Sequence, residues 1–91
     1  MDDSAFDAEM RTAQQLSVLS VTYPGWDIGI AHDESGLLWW ATLRRPVTER
    51  MRASGVAEWV RQPDAIALAA TLAWQTSLVH NARASEFWVP R

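Results

Sequence analysis

A predicted hairpin pattern constrains this fold more than any other feature. A run of alternating apolar and polar residues is followed by a tight polar turn and then by a second apolar run. The first run is Trp26–His32, the turn is Asp33–Gly36 and the second run is Leu37–Arg45. A period of two is typical of a strand with one buried face, and a four-residue connection favours an antiparallel hairpin. The sequence therefore predicts a β-hairpin, which Pro46 ends because proline cannot donate to a strand ladder.

The register of this hairpin follows from its turn. With His32 opposite Leu37, one face consists of facing apolar side chains that must form the core: Trp26, Ile28, Ile30, Trp39, Ala41 and Leu43. The other face places Trp40 above Gly29, an arrangement in which an aromatic ring covers a strand glycine. Because side chains alternate across a strand, Trp39 is predicted to be buried and Trp40 to point outward. A shift by one residue would instead bury a charged side chain.

Two long helices are predicted, one on either side of the hairpin. The first covers residues 4–21, with Ser4 as its N-cap and an apolar stripe at helical spacing: Phe6, Met10, Ala13, Leu16 and Leu19. The last covers residues 64–83 and is apolar on two sides. One side carries Ala65, Leu68, Ala69, Leu72, Gln75 or Thr76, and Val79, and the other carries Ile66, Ala70, Trp74 and Leu78. Because one sheet face covers only one side of a helix, we expect helix 1 or a second chain to cover the other.

The segment between the hairpin and the last helix contains one short helix and one open assignment. Val47–Ala53 is predicted to be helical, with Thr48 as its cap and Ser54-Gly55 as its end. Val56–Arg61 alternates as a third strand would, and a continuing helix is the alternative. The predicted fold class is therefore α+β. It is a single domain over residues 1–91 with the order α-β-β-(β)-α and the long C-terminal helix packed on one sheet face.

The predicted order resembles the α-β-β-β-α arrangement of double-stranded-RNA-binding domains and of small mRNA-interferase toxins built on the same plan. The RNA-binding domains use a Lys-rich motif at the start of the last helix, where this chain has Gln62-Pro63-Asp64-Ala65. The toxins carry a Gly-Ser-His type strand motif, whereas this chain has Gly25-Trp26 before its first strand and no matching histidine. The resemblance concerns topology, and the RNA functions of these families are not expected here.

No pattern of catalytic or metal-ligating residues stands out. The chain has no cysteine, and its two histidines, His32 and His80, do not have ligand spacing. There is no Gly-rich phosphate loop, no Gly-x-Ser-x-Gly motif and no Ser-x-x-Lys motif. We therefore expect neither an enzyme nor a bound cofactor or metal.

Composition favours a cytoplasmic bacterial protein. All eight basic residues are arginine, a usage that suits a GC-rich genome. The N-terminus, Met1–Ser4, is acidic and lacks the basic region of a signal peptide. No apolar run approaches the roughly 18–20 residues needed to span a bilayer. We therefore expect a cytoplasmic location and no membrane contact.

Charge is unevenly placed along a chain whose net charge is −3. Residues 1–36 carry seven acids and one arginine, giving −6, whereas residues 37–62 carry five arginines and two glutamates, giving +3. Four of these arginines form a predicted patch that suits phosphate or an acidic partner: Arg44, Arg45, Arg50 and Arg52. The alternative is that the patch pairs with the acidic N-terminal helix, within one copy or across a dimer.

The predicted function is a non-enzymatic protein-interaction or adaptor module that self-associates as a homo-oligomer or binds a larger regulator. Trp and Arg are enriched in interface hot spots, and the predicted contact residues are Leu38, Trp40, Thr42, Trp59, Trp74, Phe87 and Trp88. The last two belong to an apolar tail, residues 84–91, that is expected to dock on the domain or on a partner. One alternative is a nucleic-acid-binding accessory or regulatory protein that stacks bases on outward tryptophans and holds phosphates with the arginine patch. A carrier with a tryptophan-lined pocket is the third hypothesis.

Overall fold

A computed structural model describes residues 3–34 and 36–87 of this chain, and the side chains of residues 7–34 and 36–84. The elements in chain order are α1 (Asp3–Thr22), β1 (Trp26–Asp33), β2 (Gly36–Leu43), α2 (Glu49–Ala53), β3 (Trp59–Gln62) and α3 (Ala65–Phe87). The strands form one antiparallel sheet in the order β1-β2-β3. This architecture confirms the α+β prediction and shows that the undecided segment ends in a third strand.

The hairpin has the register that the sequence predicts. Ile30 lies opposite Trp39, and Gly29 lies opposite Trp40. Trp39 is only 3% exposed, whereas Trp40 is half-buried on the opposite face. β3 pairs with the other edge of β2 and places Arg61 opposite Trp40.

Both long helices cover the same face of the sheet. The core joins Leu19 of α1 with Trp39 of β2 and with Leu68 and Leu72 of α3. Each such buried side chain contributes roughly 1.5–3 kcal/mol relative to an exposed one. No helix lies over the opposite sheet face within the described residues. We call that face the outer face, and it comprises Leu38, Trp40, Thr42, Trp59 and Arg61.

The two long helices run toward the same end of the sheet. α1 leads directly into Trp26, the first residue of β1, which pairs with Leu43. α3 runs antiparallel to β3, because Gln62 at the end of β3 donates to Thr71 and the loop before β3 bonds to Gln75, one helical turn further on. The end of the sheet marked by Trp26 and Leu43 is therefore also the end toward which α3 extends.

The N-terminal half of α1 projects from the domain. Leu19 is buried and Leu16 is half-buried, but Met10 and Ala13 are exposed. The predicted apolar stripe therefore packs only in its C-terminal half; the side chain of Phe6 lies outside the described residues. The Cα radius of gyration is 16.0 Å, whereas about 12 Å is expected for a compact domain of this length. The chain is accordingly elongated.

Local signals fix the ends of α2 and the start of α3. Thr48 Oγ1 accepts a hydrogen bond from the Met51 N–H at 3.1 Å, which is an N-cap. Gly55 ends this segment with φ +97°, a conformation that favours glycine. Asp64 precedes α3, and its Oδ1 accepts from the Ala67 N–H at 2.7 Å. Asp64 is therefore the cap of α3, which begins at Ala65, one residue after the predicted start at residue 64.

Candidate interaction surfaces

The outer face brings four of the predicted contact residues together. Leu38, Trp40 and Thr42 are half-buried, and Trp59 on the edge strand is 50% exposed. The guanidinium of Arg61 lies 5.4 Å from the centroid of the Trp59 ring, a cation–π contact. The outer face is thus an open surface with Trp59 as its most exposed aromatic ring.

Trp40 contributes to the fold as well as to this surface. Its indole lies so close to Gly29 that a Cβ built there would overlap the ring. Covering the glycine removes part of Trp40 from solvent, so Trp40 is less exposed than Trp59 or Trp74. The sequence identified Trp40 correctly as outward, and its role as a contact residue stays a prediction.

Substituting Gly29 tests the contact with Trp40. Gly29→Ala is expected to destabilise the domain by about 1–3 kcal/mol, because the new methyl group forces the indole out of its position. Urea unfolding followed by circular dichroism measures this change. Gly25→Ala is the matched control, since no atom lies within 4 Å of a Cβ there, and it is expected to change stability by less than about 0.5 kcal/mol. Equal effects at both glycines would contradict the close packing of Trp40.

A second apolar surface lies on the backs of the two helices, away from the sheet. On α3, Ile66 is 80% exposed and Trp74 is 59% exposed, and on α1, Val21 is 78% exposed and Val18 is also exposed. We call this the helix-layer surface and define it as Val18, Val21, Ile66, Ala70 and Trp74. At 100° per residue, Ile66, Ala70 and Trp74 lie on one side of α3, opposite the buried Leu68 and Leu72.

The helix-layer surface bears on one open alternative, that helix 1 or a second chain covers the second apolar side of α3. α1 does contact α3, and it leaves Ile66 and Trp74 exposed. Coverage of these two residues by a second chain stays a prediction.

The predicted arginine patch is partly used within the fold. Arg44 Nε lies 2.9 Å from an Asp27 carboxylate oxygen, and Arg52 lies 3.7 Å from Glu58. Both pairs are well exposed, so each contributes at most about 1 kcal/mol. The acidic partners belong to β1 and to the loop before β3, and not to the N-terminal helix that the sequence suggested.

A groove of about 1080 Å³ opens at the end of the sheet where α1 finishes. Its walls come from the end of α1, the start of β1, the end of β2, α2 and the C-terminal half of α3. The apolar lining includes Tyr23, Trp26, Leu43, Met51 and Val79. The basic side chains of the lining are Arg44, Arg45, His80 and Arg83. No aspartate or glutamate is among the described lining residues. We call this the basic groove.

The basic groove divides the predicted arginine patch. Arg44 and Arg45 line it, whereas Arg50 and Arg52 on α2 do not. His80 and Arg83, which the sequence did not associate with the patch, complete it from α3. Their spacing of three residues predicts that they lie on one side of α3. The sequence does not indicate which other elements lie next to that side.

The predicted contact residues do not form one continuous surface. Leu38, Trp40, Thr42 and Trp59 share the outer face, while Trp74 lies on the helix-layer surface. The side chain of Phe87 and all of Trp88 lie outside the described residues. The predicted docking of the tail, residues 84–91, rests largely on residues outside the described range.

Within the described residues, no group of three or more His, Asp or Glu side chains is placed to hold a metal ion. His32 and His80 are both exposed. Among the described helices, none is both long and apolar enough to cross a membrane.

Comparison with known proteins gives no family assignment: no protein-family model, no curated protein and no solved structure matches this chain.

Proposed function

We propose that this chain is a non-enzymatic protein-interaction module that self-associates through its helix-layer surface. The observation that carries this proposal is the pair of highly exposed apolar residues on the back of α3, Ile66 and Trp74. Helical spacing places Ile66, Ala70 and Trp74 on one side of α3, and monomeric proteins rarely expose large contiguous apolar patches. Tryptophan in particular is enriched among the residues that dominate binding energy.

The dimensions of the surface suit a second copy of the chain. α3 is about 35 Å long, and neighbouring helices pack about 8–10 Å apart, so the helix layer presents on the order of 600 Å² in projection. A standard interface buries about 800 Å² of accessible surface on each partner. The projected area of the helix layer is therefore of the same order as one side of a standard interface.

The spacing on α3 is self-complementary. If two copies of α3 cross in antiparallel orientation at Ala70, a two-fold axis there brings Ile66 of one copy beside Trp74 of the other. Most soluble homo-oligomers are two-fold dimers of this isologous kind. The small side chains of Ala70 and Ala73 lie between them and allow the helices to approach closely.

Trp74→Glu is expected to convert a wild-type dimer into a monomer. Introducing a charge at the centre of the contact should weaken association by about 2 kcal/mol or more, which is roughly 30-fold in Kd. Multi-angle light scattering and analytical ultracentrifugation measure the change. Since Trp74 is exposed, the stability of the isolated fold should change by less than about 0.5 kcal/mol.

Trp59→Glu is the matched control, because it makes the same change at a tryptophan of similar exposure on the outer face. It should leave the dimer intact. A wild-type chain that stays monomeric at high micromolar concentration would refute self-association. Dissociation by Trp59→Glu but not by Trp74→Glu would move the contact to the outer face and refute the helix-layer interface.

Nucleic-acid binding is less well supported than self-association. Two of the four patch arginines are paired with acids of the same chain, and the net charge of −3 opposes a broad attraction to phosphate backbones. Arg61 stacks on Trp59, so the one basic residue on β3 is also engaged.

A further inference from the structure

We propose that the basic groove is the docking site for the projecting, acidic half of α1 from a second copy of the chain. This inference rests on the proposed self-association and adds to it a second contact, with different chemistry and a different test. The projecting segment is residues 7–14 of α1, and its two exposed acids are Asp7 and Glu9.

Charge complementarity is the first support. The groove presents three arginines and a histidine with no acid among its described lining residues, although the whole chain is net acidic. Within the described residues, Arg45 and Arg83 have no ion-pair partner. The projecting segment has the opposite sign, with Arg11 as its single base. Opposed patches of this kind fix the orientation of partners and speed their encounter.

The apolar parts also match. The groove has an apolar floor that includes Trp26, Met51 and Val79. Met10 is exposed on the projecting segment and lies three residues after Asp7, on the same side of the helix. An unbranched methionine adapts readily to an irregular apolar surface. A helix carrying acids and a methionine therefore suits a groove with basic rims and an apolar floor.

The projecting segment of α1 cannot reach the groove of its own chain. Thr22, at the C-terminal end of α1, is itself part of the groove lining. Asp7 lies 15 residues earlier in the same continuous helix, which corresponds to about 22 Å along its axis. A straight helix cannot fold back on its own end, so this segment can enter only the groove of another copy.

The dimer proposed above places the projecting segment of one copy beside the basic groove of the other, at the same height along the α3 axis. Thr22 and the α3 segment from Thr76 to Ala84 border one groove, and both helices run toward that end. With the two helix axes taken as parallel, Asp7 lies near the level at which α3 begins. A two-fold axis at Ala70 exchanges the level of Ala65 with that of Gln75. Asp7 of one copy then lies beside the start of the other copy's groove, which Thr76 marks.

Charge reversal on each side, followed by mixing, tests this contact. One variant is Arg45→Glu with Arg83→Glu, and the other is Asp7→Arg with Glu9→Arg. Each alone should weaken self-association at least about tenfold, and a one-to-one mixture should recover a heterodimer. Sedimentation with one variant fluorescently labelled measures both effects. Wild-type association should also weaken with added salt, because the Debye length falls from about 10 Å at 0.1 M to about 3 Å at 1 M.

Arg61→Glu is the control, since it reverses an exposed arginine on the outer face, and it should leave self-association unchanged. Variants that dimerise as wild type does would overturn the groove contact while leaving the helix-layer dimer intact. Variants that are weakened but do not recover on mixing would overturn it as well. A monomeric wild type would instead remove the proposed function, and the groove contact with it.

Discussion

Trp39→Ala is expected to destabilise the domain by about 3–5 kcal/mol, the range for truncating a large buried aromatic side chain. Trp39 is 3% exposed and lies at the centre of the core that joins the sheet to both helices. A domain of this length has a total stability of roughly 5–14 kcal/mol. The substitution therefore removes a large part of that stability. If the total stability is near 5 kcal/mol, the substituted chain will be largely unfolded. Thermal and urea unfolding followed by far-ultraviolet circular dichroism measure the loss.

The neighbouring tryptophans give a graded comparison for this prediction. Trp59→Ala should cost less than about 1 kcal/mol, since half of its surface is exposed in the folded chain. Trp40→Ala should fall between the two, because its half-buried indole covers Gly29. If Trp39→Ala were no more destabilising than Trp59→Ala, the hairpin register would be wrong.

The hairpin could be predicted from sequence because its period-two pattern and its turn act together. Alternation assigns each residue to a face, and the four-residue turn fixes which residues face each other. Trp39 and Trp40 are assigned to opposite faces on this basis alone, and the structure confirms both assignments. The degree of exposure of Trp40 could not be predicted, since it depends on how closely the indole approaches Gly29.

β3 and the ends of the helices were harder to predict for physical reasons. β3 has four residues, and in a segment that short an alternating pattern does not exclude a helix. The stripe on α1 continues through Met10 although the helix diverges from the sheet before that point. Periodicity gives the direction of a side chain relative to its own helix, whereas the position of the neighbouring element comes from the tertiary packing.

The basic groove could not be predicted because its residues come from the ends of separate elements. Arg45 follows β2, whereas His80 and Arg83 lie more than thirty positions later on α3. Only the parallel course of the helices toward the same end of the sheet brings them together. The hydrogen-bond partners of Gln75 could not be predicted for the same reason. Helical spacing places Gln75 on the inner side of α3, but its partners, Gly55 and Ala57, lie about twenty residues earlier in the chain.

Gln75 holds the loop that leads into β3, and Gln75→Leu is expected to destabilise the domain by about 2–3 kcal/mol. The Gln75 side chain is 3% exposed. Its Oε1 accepts a hydrogen bond from the Ala57 N–H at 2.8 Å, and its Nε2 donates to the Gly55 carbonyl at 3.3 Å. Leucine keeps most of the volume but leaves both backbone groups without a partner, and each partly buried group left unpaired costs about 1–3 kcal/mol.

Gln14→Leu is the matched control for this substitution, because Gln14 is an exposed glutamine on α1 and its replacement should change stability by less than about 0.5 kcal/mol. Amide hydrogen exchange separates loss of the loop contact from general destabilisation. In Gln75→Leu the Ala57 amide should exchange faster than the amides of β1 and β2, since its Gln75 acceptor is gone while the hairpin ladder persists. Uniform acceleration across the sheet would show that Gln75 acts through packing, and that its hydrogen bonds do not anchor the loop.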